Sequence, residues 1–174
     1  MNVLITGNSI LSEGLSALAE VTTCRISDIT NYDICLDDYD VFINYGHQRF
    51  DQLYALQAVA WEWWQDSSKI IVNISSRAAQ PNISKGHMYA AQKAAMNHYT
   101  NNLLYNSDIQ CRLTTLNLGL MEHDSLPSVP WSHIVDVVLD IINNPYAVTE
   151  LSIQHPTNYS SVQADKRLHK LLGL

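Results

Sequence analysis

Short β-branched runs alternate along the chain with longer stretches whose apolar residues recur every three or four positions. The runs are Asn2–Thr6, Val21–Cys24, Val41–Asn44, Ile70–Ile74, Arg112–Leu118 and Val148–Ile153. The periodic stretches are Ile10–Ala19, Phe50–Gln65, Tyr89–Tyr105 and His133–Ile142. Strand-length runs separated by helix-length segments predict βαβ units and a parallel sheet. Val3-Leu4-Ile5 and Ile70-Ile71-Val72 show no polar alternation, as expected of strands covered by helices on both faces. The pattern predicts an α/β fold of three layers, a doubly wound parallel sheet of about six strands. Ser27–Tyr39 stands apart as a polar, acidic stretch with no convincing helix. The tail, Pro156–Leu174, predicts a short helix over Ala164–Leu172, seated through Val162, Leu168, Leu171 and Leu172. With no repeat, low-complexity run or Gly/Ser linker, residues 1–174 read as a single domain.

Composition narrows the function classes. At 174 residues, 47% apolar and 16% charged, the chain is long and hydrophobic enough to bury a core. No apolar run reaches the roughly 18 residues of a membrane span, and Met1–Ile5 has no signal-peptide character. The expectation is a soluble, cytoplasmic protein without a membrane partner. A net charge of −7 argues against nucleic acid as a partner. Cys24, Cys35 and Cys111 form no CxxC pair, and none of the seven histidines makes an i, i+4 pair, so no metal site is expected.

Two segments carry candidate chemistry. The first runs from Val3-Leu4-Ile5-Thr6-Gly7 into Asn8-Ser9-Ile10-Leu11 and Gly14, a strand entering a glycine turn and then a helix. Backbone N–H groups and the helix dipole there suit a dinucleotide pyrophosphate. Gly7 supplies the turn, and Ser9 or Ser12 can donate to a phosphate. Leu11 stands where the backbone should approach the phosphates unshielded, and Glu13 sets a like charge nearby. The second is a strand ending in Ser75-Ser76, followed by Tyr89 and, four residues on, Lys93 in an Ala-rich helix. Spacing of i and i+4 stacks phenol and ammonium on one helical face. Tyrosine is a poor acid–base group at its usual pKa of about 10, and a nearby cation favours the phenolate. A serine at the end of the neighbouring strand can bond the substrate oxygen that the phenol protonates.

Together these residues resemble the short-chain dehydrogenase/reductase superfamily, in a shortened and divergent form, from Asn2 to about His155. Thr6-Gly7 with Gly14 is similar to its Thr-Gly-x-x-x-Gly-x-Gly turn, and Ile43-Asn44-Tyr45-Gly46 to its Asn-Asn-Ala-Gly segment. Val72-Asn73-Ile74-Ser75-Ser76 resembles the strand of the catalytic serine, and Tyr89-x-x-x-Lys93 matches the Tyr-x-x-x-Lys motif. Ser76 lies thirteen positions before Tyr89, the family's usual offset, and is preferred to Ser75 on that ground. Asn117-Leu118-Gly119 resembles the turn beside the nicotinamide, with its proline lost. The resemblance implies a Rossmann-like fold and hydride transfer between NADP or NAD and a small carbonyl or alcohol. It implies Tyr89 as general acid/base, Ser76 as the carbonyl-polarising group and Lys93 as the ribose-binding cation. Gly7, Ser9, Ile10, Leu11, Arg25, Asn44, Tyr45, Gly46 and Gly119, with Tyr89 and Lys93, then line the cofactor. Arg25 at the end of the second strand tilts the expectation toward NADP. The family's catalytic asparagine has no clear match; Asp51 or Gln52 falls nearest.

Three departures qualify the resemblance. Only 38 positions separate Thr6 from Asn44, too few for the usual second helix, third strand and next helix, so one edge strand should be missing. Gly119 to Trp131 is short for a substrate-covering lid. The glycine turn is degenerate. These losses leave a second class open: a nucleotide sensor or interaction scaffold that keeps the fold without the reaction. Nucleotide-sugar chemistry, which shares the Tyr-Lys pair, would need a substrate domain after Gly119. Trp61, Trp63 and Trp64 cannot all face one stripe, so at least one is expected at the surface. The family analogy places a homodimer or tetramer contact on the 50–65 and 89–105 helices.

Overall fold

The computed structural model describes residues 1–7, 10–17, 19–80 and 86–156. Strands β1 (Asn2–Thr6), β2 (Glu20–Cys24), β3 (Val41–Asn44), β4 (Ile70–Ser76), β5 (Arg112–Leu118) and β6 (Glu150–Ile153) form one sheet in the order β2-β1-β3-β4-β5-β6. Every pairing is parallel. Helices α1 (Ile10–Ser16), α2 (Ile26–Thr30), α3 (Asp51–Glu62), α4 (His87–Asn106) and α5 (Trp131–Asn143) lie in the connections. The chain runs outward from β1 to β2, then returns across β1 to β3 and onward to the opposite edge. The reversal between β1 and β3 opens a crevice beyond their carboxyl ends, where ligands of such sheets bind. The usual doubly wound order carries a further strand outside β2; here β2 is the edge, as the short Thr6–Asn44 spacing requires.

Side-chain alternation along the strands divides the core in two. Val3, Ile5, Val41, Ile43, Ile70 and Val72 face α1 and α5, where Leu11, Leu15, Ile134, Val135 and Val138 meet them. Leu4, Phe42, Ile71 and Leu113 point the other way, onto Leu56, Val59 and Trp63 of the α3 segment and Met96 and Leu103 of α4. Strands buried on both faces can be apolar throughout, which is why β1 and β4 lack a period-two signal. Helices α1 and α5 approach closely at Gly14, where an added Cβ would lie 2.6 Å from Val135 Cγ2.

Several boundaries differ from expectation for local reasons. The Ser27–Tyr39 stretch holds a short helix after all, α2, and a 3-10 turn at Leu36–Asp38. Five residues are too few for an amphipathic period. The helix forms because Asp28 Oδ2 accepts from the Arg25 N–H at 2.9 Å and Ile29 enters the core. Helix α1 ends at Ser16 rather than Ala19. Strand β4 continues to Ser76 because Ser75 and Ser76 pair with Asn117 and Leu118 of β5. Helix α4 begins at His87, two residues before Tyr89, and so includes both residues of the motif. The tail helix over Ala164–Leu172 falls outside the described residues. Of the three tryptophans, Trp63 is buried, Trp61 is exposed, and Trp64 donates its indole N–H to Asp108 Oδ1 at 2.9 Å.

Candidate active site

At the carboxyl ends of β3 and β4 a buried polar cluster replaces the apolar core. Asn44 ends β3 with its side chain buried, donating to the Gln52 carbonyl at 2.9 Å and to Asn73 Oδ1 at 3.0 Å. Gln52, in the first turn of α3, donates through Nε2 to the Asn44 carbonyl at 2.6 Å and the Ile74 carbonyl at 3.0 Å. Its Oε1 accepts from Lys93 Nζ at 2.6 Å, and Lys93 donates again to the Ile74 carbonyl at 2.9 Å. Lys93 is only 4% exposed. Burial lowers its pKa from the ordinary 10.5 to about 8, and among the described residues no carboxylate pairs with it.

One helical turn before Lys93, Tyr89 stands at the surface, its ring centroid 5.8 Å from Lys93 Nζ. The stacking expected from i, i+4 spacing is therefore present. The His47 ring meets Tyr89 edge-on, with centroids 4.9 Å apart. Partial burial, and then the charge of Lys93, hold the His47 pKa below its usual value. The serines divide their work. Ser75 is buried and donates its hydroxyl to Asn97 Oδ1 at 2.6 Å. Ser76 Oγ instead accepts from the Ala78 N–H at 3.1 Å, which leaves its own O–H to donate. Ser76, Tyr89 and Lys93 line one cleft of about 290 Å³ together with Tyr45, His47 and Gly119. Ile74, Ser75, Leu118, Met121 and Trp131 complete it. That volume sits at the small end of the ligand-site range, room for a ring-sized group and a small substrate.

The remaining predicted cofactor residues lie elsewhere. Gly7, at φ +84°, holds the turn after β1, and its N–H donates to the Cys24 carbonyl at 2.7 Å. Thr6 Oγ1 accepts from both the Tyr45 and Gly46 N–H groups, at 3.0 and 2.8 Å, and clamps the end of β3 to β1. Gly46 packs against Ile26, leaving 3.0 Å for any Cβ. Ile10 is exposed at the start of α1, whereas Leu11 is wholly buried in the core, so its side chain does not shield the turn as expected. Asn44 is likewise turned inward, toward α3 and β4. Arg25 is solvent-exposed and paired with Asp28 at 2.9 Å, which keeps that carboxyl below its usual range. Gly7, Ile10, Leu11, Arg25, Asn44 and Gly46 do not line the described cleft. Ser9 lies outside the described residues. His47 and Gln52 are the residues sequence reasoning undervalued. His47 had no motif to mark it. Gln52 was distinguishable from Asp51 only by which of the two faces inward.

No protein-family model matches the chain, nor does any curated protein sequence. Solved structures do. Serine dehydrogenase from Escherichia coli superposes with a TM-score of 0.73 at 16% identity, over 91% of this chain and 99% of that one. Gluconate 5-dehydrogenase from Burkholderia cenocepacia, in complex with NADP and tartrate, gives 0.68 at 14% identity, over 87% and 92%. A 3-ketoacyl-(acyl-carrier-protein) reductase from Brucella melitensis, complexed with NADH, gives 0.68 at 15%, over 88% and 96%. The chain thus carries the fold of these dehydrogenases and reductases, and the resemblance read from its motifs holds at the level of fold. The donor set fits the nicotinamide end of such a cofactor. Lys93 keeps one ammonium N–H beyond those given to Gln52 and Ile74, and it lines the cleft together with Ser76 and Tyr89.

Proposed function

We propose that the protein is an NAD(P)-dependent oxidoreductase of the short-chain dehydrogenase/reductase type, acting on a small carbonyl or alcohol. The observation that carries this reading is the convergence of Ser76, Tyr89 and Lys93 on one cleft at the carboxyl ends of the strands. The nicotinamide supplies or takes up the hydride when bound. Tyr89 holds the proton that the substrate oxygen gains on reduction and loses on oxidation. The Lys93 ammonium, 5.8 Å from the phenol ring, stabilises the phenolate left behind. Ser76 donates its O–H to the same substrate oxygen and polarises the carbonyl. The remaining N–H of Lys93 serves the ribose hydroxyls. The glycine turn at Gly7 would take the pyrophosphate through backbone N–H groups of Ile10 and Leu11, and Tyr45 and Gly119 would flank the nicotinamide.

Arg25 and Asp28 at the end of β2 bear on the choice of cofactor. Arg25 can receive the 2′-phosphate of NADP once it leaves Asp28; Asp28 can accept from the ribose hydroxyls of NAD. The expectation of NADP rests on Arg25, whose guanidinium is held by Asp28 at 2.9 Å. We further read residues 1–174 as one cytoplasmic domain that forms a homodimer or tetramer through α3 and α4. Tyr54, Trp61 and Tyr105 are exposed on these two helices. No helix among the described residues is long and apolar enough to cross a membrane.

Titration with NADPH and NADH, followed by cofactor fluorescence, tests the proposal. Saturable binding is expected, lost in Lys93→Ala and kept in Tyr89→Phe, whose turnover should fall by about 10²–10⁴. Absence of binding at millimolar cofactor would replace the enzyme by the scaffold alternative, which the Arg25–Asp28 pair and the edge position of β2 favour.

A further inference from the structure

We infer that Gln52 is the positioning residue for Lys93: its carboxamide oxygen takes one ammonium proton, the Ile74 carbonyl takes a second, and the third is left facing the cleft. The inference deepens the oxidoreductase reading and rests on it for its catalytic meaning, though not for its geometry. Gln52 is 2% exposed and both of its amide hydrogens are directed at backbone carbonyls, those of Asn44 and Ile74. That fixes the amide's orientation. Turned over, it would set an NH2 against an ammonium and an oxygen against two carbonyls, with no hydrogen bond possible in either place. The oxygen must therefore point at Lys93, and it does so at 2.6 Å.

The arrangement answers a physical need. A buried ammonium without a carboxylate is costly and tends to lose its proton. A neutral amide dipole anchored at its far end by β3 and β4 can hold that charge without quenching it, which a carboxylate would do by forming an ion pair. The field of the cation then remains available to Tyr89. In the resembled family an asparagine occupies the corresponding helix; here a longer amide from α3 meets the amine directly. The titratable groups facing Lys93 are Tyr89 on its own helix and His47 from the loop after β3.

The test follows the Cε resonance of Lys93 by carbon NMR in lysine-labelled protein, assigned by its disappearance in Lys93→Met. In Gln52→Leu the titration midpoint should fall by about one to two pH units, as expected for loss of a hydrogen bond to a charged group. In Gln52→Glu it should rise by a similar amount. Circular dichroism establishes which variants fold, and Gln52→Glu carries the test if Gln52→Leu does not. Midpoints within about 0.3 pH unit of the parent in the folded variants would overturn the inference, since the bond it depends on is worth several times that. The wild type supplies the separate control. Shifted midpoints with no binding of NADPH or NADH would sink the oxidoreductase reading and leave the Gln52 role standing. Turnover with unmoved midpoints would do the reverse. Where both hold, the kcat/KM pH profile moves with the amine.

Discussion

Lys93→Met separates the electrostatic cost of the buried ammonium from the packing of its stem. Methionine fills a similar volume and carries no charge. With the folded-state pKa depressed to about 8 from 10.5, the folded protein below pH 8 bears a burden of roughly 3 kcal/mol, at about 1.36 kcal/mol per pH unit. Between pH 8 and 10.5 the unfolded chain still binds the proton that the folded chain has released. The unfolded state binds more protons there, so this group makes stability rise with pH across that window. The variant is free of the burden. It takes the ammonium donor from the buried Gln52 Oε1, which keeps its bond from the His47 ring, at about 1–3 kcal/mol, while the Ile74 carbonyl keeps its bond from Gln52 Nε2. At pH 7 the two effects oppose, and the variant should lie within about 2 kcal/mol of the parent. By pH 10 the parent should have gained about 2–3 kcal/mol on it. Urea denaturation of both proteins at pH 7 and pH 10 measures the gap, and titrating groups remote from Lys93 cancel in the comparison. A gap constant to about 0.5 kcal/mol would show that Lys93 keeps an ordinary pKa and that the account of its site is wrong.

The two serines should separate cleanly. Ser76→Ala is expected to lower kcat by about 10²–10³ with little change in the melting temperature, by analogy with loss of one oxyanion-stabilising donor. Ser75→Ala should instead cost about 1–3 kcal/mol of stability in urea denaturation, because it leaves Asn97 Oδ1 without its donor. The assembly is testable by light scattering: a dimer or larger at micromolar concentration, converted to monomer by Trp61→Arg, is the expected result, and a monomeric parent protein would reject the α3/α4 contact.

The Tyr89-x-x-x-Lys93 spacing, the Ser76 offset and the alternation of strands and helices are local properties of a chain. Periodicity and short-range spacing depend only on backbone geometry, so six parallel strands and the helix carrying Tyr89 and Lys93 could be read without coordinates. The missing edge strand followed from counting residues between Thr6 and Asn44. What tertiary structure alone decided was which polar groups face each other across elements. Gln52, not Asp51, turns inward from α3; Ser75 is satisfied by Asn97 while Ser76 keeps a free O–H; Leu11 enters the core; Arg25 closes on Asp28; His47 comes to rest against Tyr89. Each of those outcomes depends on packing angles between helices and the sheet, and on the rule that a buried donor or acceptor must find a partner wherever the fold brings one within reach. Neither is written in the spacing of a single segment.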